Sequence, residues 1–161
     1  MSMLYYFFSI KEKENAYLFN GLNISKNKEA IKHQNKYPVI FIFLKDMKNS
    51  SYEKQMNRFK EVICLCAKSH LELLNSERLL TSEKKFFQKY VDNETEDNEL
   101  EKSLFNISYF LYKHYHQKVI ILIDEYDLPL QSAYQYNYYD EMVEFLRSVF
   151  SSALKINDAL E

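Results

Sequence analysis

Five apolar residues, Val119-Ile-Ile-Leu-Ile123, run directly into two carboxylates, Asp124 and Glu125, with a third at Asp127. Successive side chains of a strand point to opposite faces. If the apolar run is a buried parallel strand, its last side chains reach the carboxyl edge of the sheet, where ligands of open α/β sheets bind. An aspartate there can hold a magnesium ion, usually through water, beside nucleotide phosphates. The adjacent glutamate, aimed to the other side of the pleat, can orient or deprotonate an attacking water. The same pattern also arises where a strand simply reaches solvent in acidic residues, so the pair is a candidate whose setting decides its meaning.

Other residue types offer less. The chain has one glycine, Gly21, and two prolines, Pro38 and Pro129. No glycine-rich loop can form, which excludes a phosphate-cradling loop or a dinucleotide fingerprint within these residues. Turns that need positive φ must fall to asparagine and aspartate. His114 and His116 lie where a helix should end, a place that suits polar or cationic side chains; with no third ligand nearby, zinc is not expected. Cys64 and Cys66 are two apart on a helical stretch, face different directions and read as small packing groups in a reducing compartment. Asp92 to Glu101 carries six acidic residues without the glycine or ligand spacing of a calcium loop, and reads as a solvated loop. Arg147 reads as a solvated helix residue. The 14 tyrosines and 12 phenylalanines lack interleaved basic residues, so packing accounts for them better than stacking on nucleic acid.

The elements that must position Asp124 and Glu125 follow from periodicity. With 161 residues, 47% apolar and 27% charged, the chain fits one domain with a real core. A net charge of -2 gives no basic face for nucleic acid or anionic lipid. No apolar run approaches the ~20 residues of a membrane span, and the apolar start, Met3 to Ile10, lacks the flanks of a secretory signal. A cytoplasmic setting is expected. Residues 3 to 19 read as a helix end leading to a turn near Gly21, and Lys26 to Lys36 as a basic surface loop or short helix. Strands are expected at 38–44, where Tyr37-Pro-Val-Ile-Phe-Ile-Phe-Leu44 is almost wholly apolar, and at 119–124; runs without alternation suggest cover on both faces. Helical spacing marks 51–69 through Tyr52, Met56, Phe59, Ile63 and Cys66, and 82–91 through Phe86, Phe87 and Tyr90. It also marks 100–116 through Leu100, Leu104, Ile107, Leu111 and Tyr115, and a last helix capped by Asp140 with Met142, Phe145, Val149 and Ala153 on one face. Two buried strands separated by about seventy residues of helical pattern imply a right-handed crossover and an α/β layered sheet.

An apolar strand ending in Asp-Glu is the Walker B pattern of P-loop ATPases, and longer stretches strengthen the likeness. Lys118 to Leu130, KVIILIDEYDLPL, resembles the corresponding part of the AAA-ATPase-like family of P-loop proteins. So do HQNKYPVIFIFLKDMK at 33–48, YYDEMVEFLRSVFSSALK at 138–155 and LFNGLNIS at 18–25. The likeness covers nearly the whole chain, with the motifs in the family's order.

The resemblance implies a partial three-layer P-loop NTPase-like fold, a single domain over 1–161 truncated at both ends. Family members carry a glycine-lysine phosphate loop upstream of a segment like Met1 to Phe8, and continue past the last helix into another strand and often a nuclease-like domain. By the same resemblance Asp124 is the magnesium-side aspartate, acting through water, and Glu125 the catalytic base; Asp127 belongs to the DEYD run without an assigned role. ATP and Mg²⁺ are the parent family's ligands, which this chain need not bind, and, lacking the phosphate loop, it is expected not to hydrolyse ATP alone. The alternative is a non-enzymatic interaction module or pseudoenzyme remnant, because the apolar edge of the Asp124 strand would seek a partner strand. A further copy of the chain, or the missing part of the ATPase domain, is the partner this implies. A nuclease lacks the acidic-x-lysine strand it would need and ranks last.

Overall fold

A computed structural model describes residues 2–155 and 157–161. Both expected strands form: β1 (Val39–Phe43) and β2 (Ile120–Asp124) pair in parallel, in register from Val39 beside Ile120 to Phe43 beside Asp124. Their alternation splits the sheet into two unlike faces. Ile40 and Ile42, with Leu44 beyond, join Ile121 and Ile123 in the main core. Val39, Phe41, Ile120 and Leu122 point the other way into a small cluster with Tyr5, Phe8 and Tyr37.

The main core is helical. α3 (Tyr52–Lys68) begins at Ser51, whose hydroxyl accepts from the Lys54 N–H, and buries Met56, Phe59, Ile63 and Cys66 as its spacing predicts. α4 (Thr81–Asp92) packs on α3 and buries Phe87 and Tyr90. α6 (Ser103–Tyr115) and α8 (Tyr139–Leu154) pack on each other and close the layer. Phe59 meets Phe145 edge-on at 5.1 Å, and Phe87 meets Phe110 at 6.3 Å, so aromatic rings do the packing work expected of them.

On the opposite face the helix packed on the sheet, among the described residues, is the short α1 (Ser2–Phe8). The expectation of strands covered on both faces is therefore met at the amino end, where Val39 and Leu122 are buried on this face too, and fails at the carboxyl end. Phe43 remains 45% exposed where Ile42, its neighbour on the core face, is 2% exposed. A 3-10 stretch (Ile10–Phe19) follows α1, then a turn with Gly21 at φ 79°, a 3-10 turn (Asn23–Lys26) and the one-turn α2 (Lys28–Ile31). The expected three layers are therefore met only in part: a mostly helical α/β unit surrounds a two-stranded parallel sheet among the described residues. Isolated parallel bridges extend it by single residues, Ser9 to Tyr37 beyond β1 and Val119 to Leu160 beyond β2.

Four local expectations need correction. Asp92 to Glu101 is not simply a solvated loop: Asn93 ends α4 in the left-handed region, then α5 (Asp97–Leu100) adds one turn and buries Leu100 completely. Two of its acids are ion-paired, Glu99 with Lys89 at 2.6 Å and Asp97 with Lys60 at 2.8 Å. Leu100 thus precedes α6 instead of starting it. Asp140 does not cap α8; Tyr138 holds the cap position, and Asp140 sits in the first turn, where its charge suits the positive end of the helix dipole. An unexpected helix, α7 (Leu128–Gln135), follows β2, with Pro129 in its first turn where the missing N–H costs nothing. Asparagines take left-handed turn positions as expected, at Asn35, Asn93 and Asn137, but no aspartate does among the described residues, and His116 and Glu125 take two more. No helix among the described residues is long and apolar enough to cross a membrane.

Candidate functional site

The site is built where β2 stops. Asp124 is its last residue, and its carbonyl accepts from the Leu44 N–H at 3.1 Å, so strand pairing fixes its backbone. Pleat alternation puts Asp124 on the side of Leu122 and Ile120, beside Phe43, on the face that carries α1. Its Oδ1 accepts from the Glu125 N–H at 3.1 Å. Glu125 has φ 55°, in the left-handed region that a glutamate enters only at a cost. Both residues are half-buried. The chain then turns at once: the Leu128 N–H donates to the Glu125 carbonyl at 3.3 Å.

Asp127 acquires a structural place that sequence did not supply. It is the N-cap residue of α7, its carbonyl accepts from the Leu130 and Gln131 N–H groups, and its Oδ2 accepts from the Gln131 side chain at 2.8 Å. Asp127 therefore starts the helix that leads away from the carboxylate pair.

The turn leaving β1 lies at the same sheet edge, and three residues hold it that sequence reasoning missed. Gln55, fully buried in the first turn of α3, donates to the Met47 carbonyl at 2.8 Å and accepts from the Asn49 side chain at 2.9 Å. Tyr138 and Ser132 both donate to the Asn49 carbonyl, at 2.6 and 3.1 Å. Gln55 was detectable in principle, since it precedes Phe59 and Ile63 at four-residue intervals on the buried stripe, an odd position for an amide. Tyr138 and Ser132 carry no such signal. Between this turn and α7 lies a cavity of about 350 Å³ lined by Lys48, Leu128, Gln131, Ser132, Gln135 and Tyr136.

The direction of α1 bears on the site as well. Its end lies by the start of β1, where the Tyr37 N–H donates to the Phe8 carbonyl at 3.0 Å. Tyr5, a turn earlier, stacks on Phe41 farther along the strand, with ring centroids 5.8 Å apart. α1 thus runs antiparallel to β1, and its first residues head for the edge where Asp124 sits.

The remaining candidates stay apart from this edge. Cys64 and Cys66 are free, buried thiols; Cys64 donates to the Val91 carbonyl at 3.2 Å, and burial pushes the Cys66 thiol up to about 12. His114 contacts the Ser76 hydroxyl at 2.8 Å, and His116 is exposed in the left-handed residue that ends α6. Arg147 is exposed on α8. Among the described residues no group of three or more His, Cys, Asp or Glu side chains is arranged to hold a metal ion.

Comparison with known proteins gives one finding. A family model described as AAA-ATPase_like, Predicted AAA-ATPase, matches residues 1–161. No curated protein and no solved structure matches the chain.

Proposed function

Since the chain belongs to the AAA-ATPase-like family, we propose that it carries the Walker B part of a P-loop ATPase, with Asp124 on the magnesium side and Glu125 as catalytic base. The observation that carries this reading is Asp124 ending β2 at the carboxyl edge of a parallel sheet, on the face over which α1 runs toward that same edge. A phosphate loop preceding a helix placed like α1 would arrive beside Asp124.

The donor set suits magnesium handled in that way. Mg²⁺ keeps several waters and takes one or two carboxylates plus substrate phosphates, so a single half-buried aspartate fits better than a dedicated protein cage would. Bound there, the ion would supply charge neutralisation for phosphoryl transfer. The protein's own contributions are positional. Pairing with β1 fixes the Asp124 backbone, and the Glu125 N–H engages one carboxylate oxygen. The left-handed turn at Glu125 redirects the chain immediately after the strand. Strained backbone at a pair of adjacent acids is the kind of outlier that accompanies function. Glu125 would hold or accept the proton of an attacking water.

Catalysis of this class also needs backbone N–H groups and a lysine around the phosphates, and a chain with one glycine holds no such loop. The 161 residues alone are therefore expected not to turn over ATP. The test compares phosphate release and Mg²⁺-dependent ATP binding by this chain with a version extended upstream by a glycine-lysine-threonine phosphate loop. The extended chain should hydrolyse ATP; Glu125→Gln should abolish turnover and keep binding, and Asp124→Asn should remove the Mg²⁺ dependence of binding. Turnover by the unextended chain that Glu125→Gln abolishes would overturn the predicted inactivity. Turnover by the extended chain indifferent to both substitutions would overturn the assignment of the pair.

A further inference from the structure

The turn that follows β1 is held more firmly than a solvent-facing loop requires. Met47 is fully buried and anchors it in the main core. Gln55 donates to the Met47 carbonyl at 2.8 Å and accepts from the Asn49 N–H at 3.2 Å. Tyr138 and Ser132 donate to the Asn49 carbonyl from the other side. Buried side chains therefore fix the backbone before and after Lys48, while Lys48 itself is exposed. A backbone fixed in advance lowers the ordering cost of whatever the lysine binds.

Lys48 lines the cavity of about 350 Å³ between this turn and α7. Its ammonium makes no ion pair or hydrogen bond among the described residues, and neither do the Gln135 amide and the Tyr136 hydroxyl, which line the same cavity. No carboxylate of the described residues lines it; the Oδ2 of Asp127 is engaged by the Gln131 side chain. The other cavities differ. Arg58, beside Phe43, is paired with both Asp46 and Glu61, and the cleft at Tyr134 and Tyr139 carries Asp140 and Glu141. One ammonium, one amide and one hydroxyl, with no opposing charge, form a donor set for an oxyanion. Three donors of different kinds suit the several oxygens of a phosphate better than the two of a carboxylate. Leu128 forms part of the lining, and its N–H donates to the Glu125 carbonyl, so the cavity stands at the carboxyl edge of the sheet.

We propose that this cavity binds a phosphate group, with Lys48 supplying the charge and Gln135 and Tyr136 the neutral donors. Free inorganic phosphate and the terminal phosphate of a larger ester present the same oxyanion to these groups. The inference rests on the donors of the cavity and does not depend on the Asp124–Glu125 reading.

The test titrates the intact, nitrogen-15-labelled chain with inorganic phosphate at constant pH and ionic strength and follows the backbone amides by NMR. Saturable shifts are expected at Met47 to Asn49 and at Leu128 to Tyr136, with a dissociation constant of about 1–10 mM. Acetate should give no saturable shift below about 100 mM. Lys48→Met should weaken phosphate binding about tenfold, and Lys48→Arg should retain most of it. Lys45→Met, on the same turn but outside the cavity, should change nothing. Thermal unfolding of the Lys48 variants should match that of the unaltered chain, because the side chain is exposed. Addition of MgATP separates the two sources: displacement of phosphate identifies an ester as the ligand, and phosphate binding that MgATP leaves untouched identifies the free ion. Shifts that rise linearly to about 100 mM phosphate, or that spread evenly over the exposed lysines, would overturn the proposal. So would acetate binding as tightly as phosphate, or a loss of affinity as large in Lys45→Met as in Lys48→Met.

Discussion

The Tyr138 hydroxyl donates to the Asn49 carbonyl at 2.6 Å, joining residues 89 positions apart. Ser132 donates to the same oxygen at 3.1 Å, and Gln55 holds the rest of the turn through Met47 and Asn49. The turn after β1 and the helices after Asp124–Glu125 therefore form one hydrogen-bonded unit at the carboxyl edge. Its partners are unequal. Tyr138→Phe leaves Asn49 with Ser132 and should cost about 1 kcal/mol, whereas Gln55→Leu strands the buried Met47 carbonyl and should cost about 2–3 kcal/mol. Urea unfolding of the two variants checks the ranking, and equal costs would show that the glutamine is not the anchor.

What was legible in the sequence was whatever repeats or alternates. β1 and β2 are uninterrupted apolar runs, and the stripe of Met56, Phe59, Ile63 and Cys66 can be read by counting. Asp124 and Glu125 were found because they end such a run. The helix after them was not, since Leu128–Gln135 is short and opens on a proline that reads equally well as a turn. Nor could the sequence show that β1 ends with one face buried and the other open, Ile42 at 2% and Phe43 at 45% exposure. Phe41 and Ile42 are alike in type, and their surroundings come from distant segments. The clamp on Asn49 was hidden for the same reason: Tyr138 and Ser132 are ordinary residues whose partner lies across the fold.

Glu125 occupies a backbone conformation that suits glycine, at φ 55°. A non-glycine residue there costs about 1 kcal/mol, partly offset by the chain entropy that glycine loses on folding. Glu125→Gly should therefore leave stability equal or raise it by up to about 1 kcal/mol, while Glu125→Gln leaves it unchanged. Thermal or urea unfolding decides. A clear loss of stability in the glycine variant would mean that the glutamate side chain holds the turn, contrary to a residue placed there for chemistry.

A pH dependence follows from a cluster at the other end of the sheet. The Glu72 carboxylate is 2.6 Å from the Lys11 Nζ, accepts from the Tyr115 hydroxyl at 3.0 Å and lies 3.4 Å from the His70 ring. Burial pushes its carboxyl up, but the bonds from His70 and Lys11 prevail and hold it at about 2, below the ordinary 4.5. The unfolded chain thus takes up this proton first, so the contribution is complete above pH 4.5 and is lost as pH falls toward 2. Burial also lowers His70 below its usual 6.5, against the bond to Glu72, and its share is likewise lost as pH falls below that value. With Glu72 about one-third exposed, its share should be about 1–2 kcal/mol after solvent screening. Urea unfolding from about pH 7 to about pH 3 should show stability falling with acid, and Glu72→Gln should flatten the part below pH 4.5. An unchanged slope in that variant would place the proton uptake elsewhere.

The two faces of β1 make opposite predictions for adjacent residues. Ile42 lies in the main core at 2% exposure, and Ile42→Ala should cost about 2–5 kcal/mol, the lost transfer energy plus the cavity left behind. Phe43 is the larger residue but stands 45% exposed on the α1 face, so Phe43→Ala should cost less, about 1 kcal/mol. A helix layer over that face comparable to the one over Ile42 would reverse the order, because burying a phenylalanine removes more apolar surface than burying an isoleucine. Chemical denaturation of both variants, with the slope monitored so that compactness changes are separated from stability, reads the asymmetry directly. Equal or inverted costs would mean that α1 covers the Phe43 face in solution more fully than its contacts with Phe41 and Val39 provide.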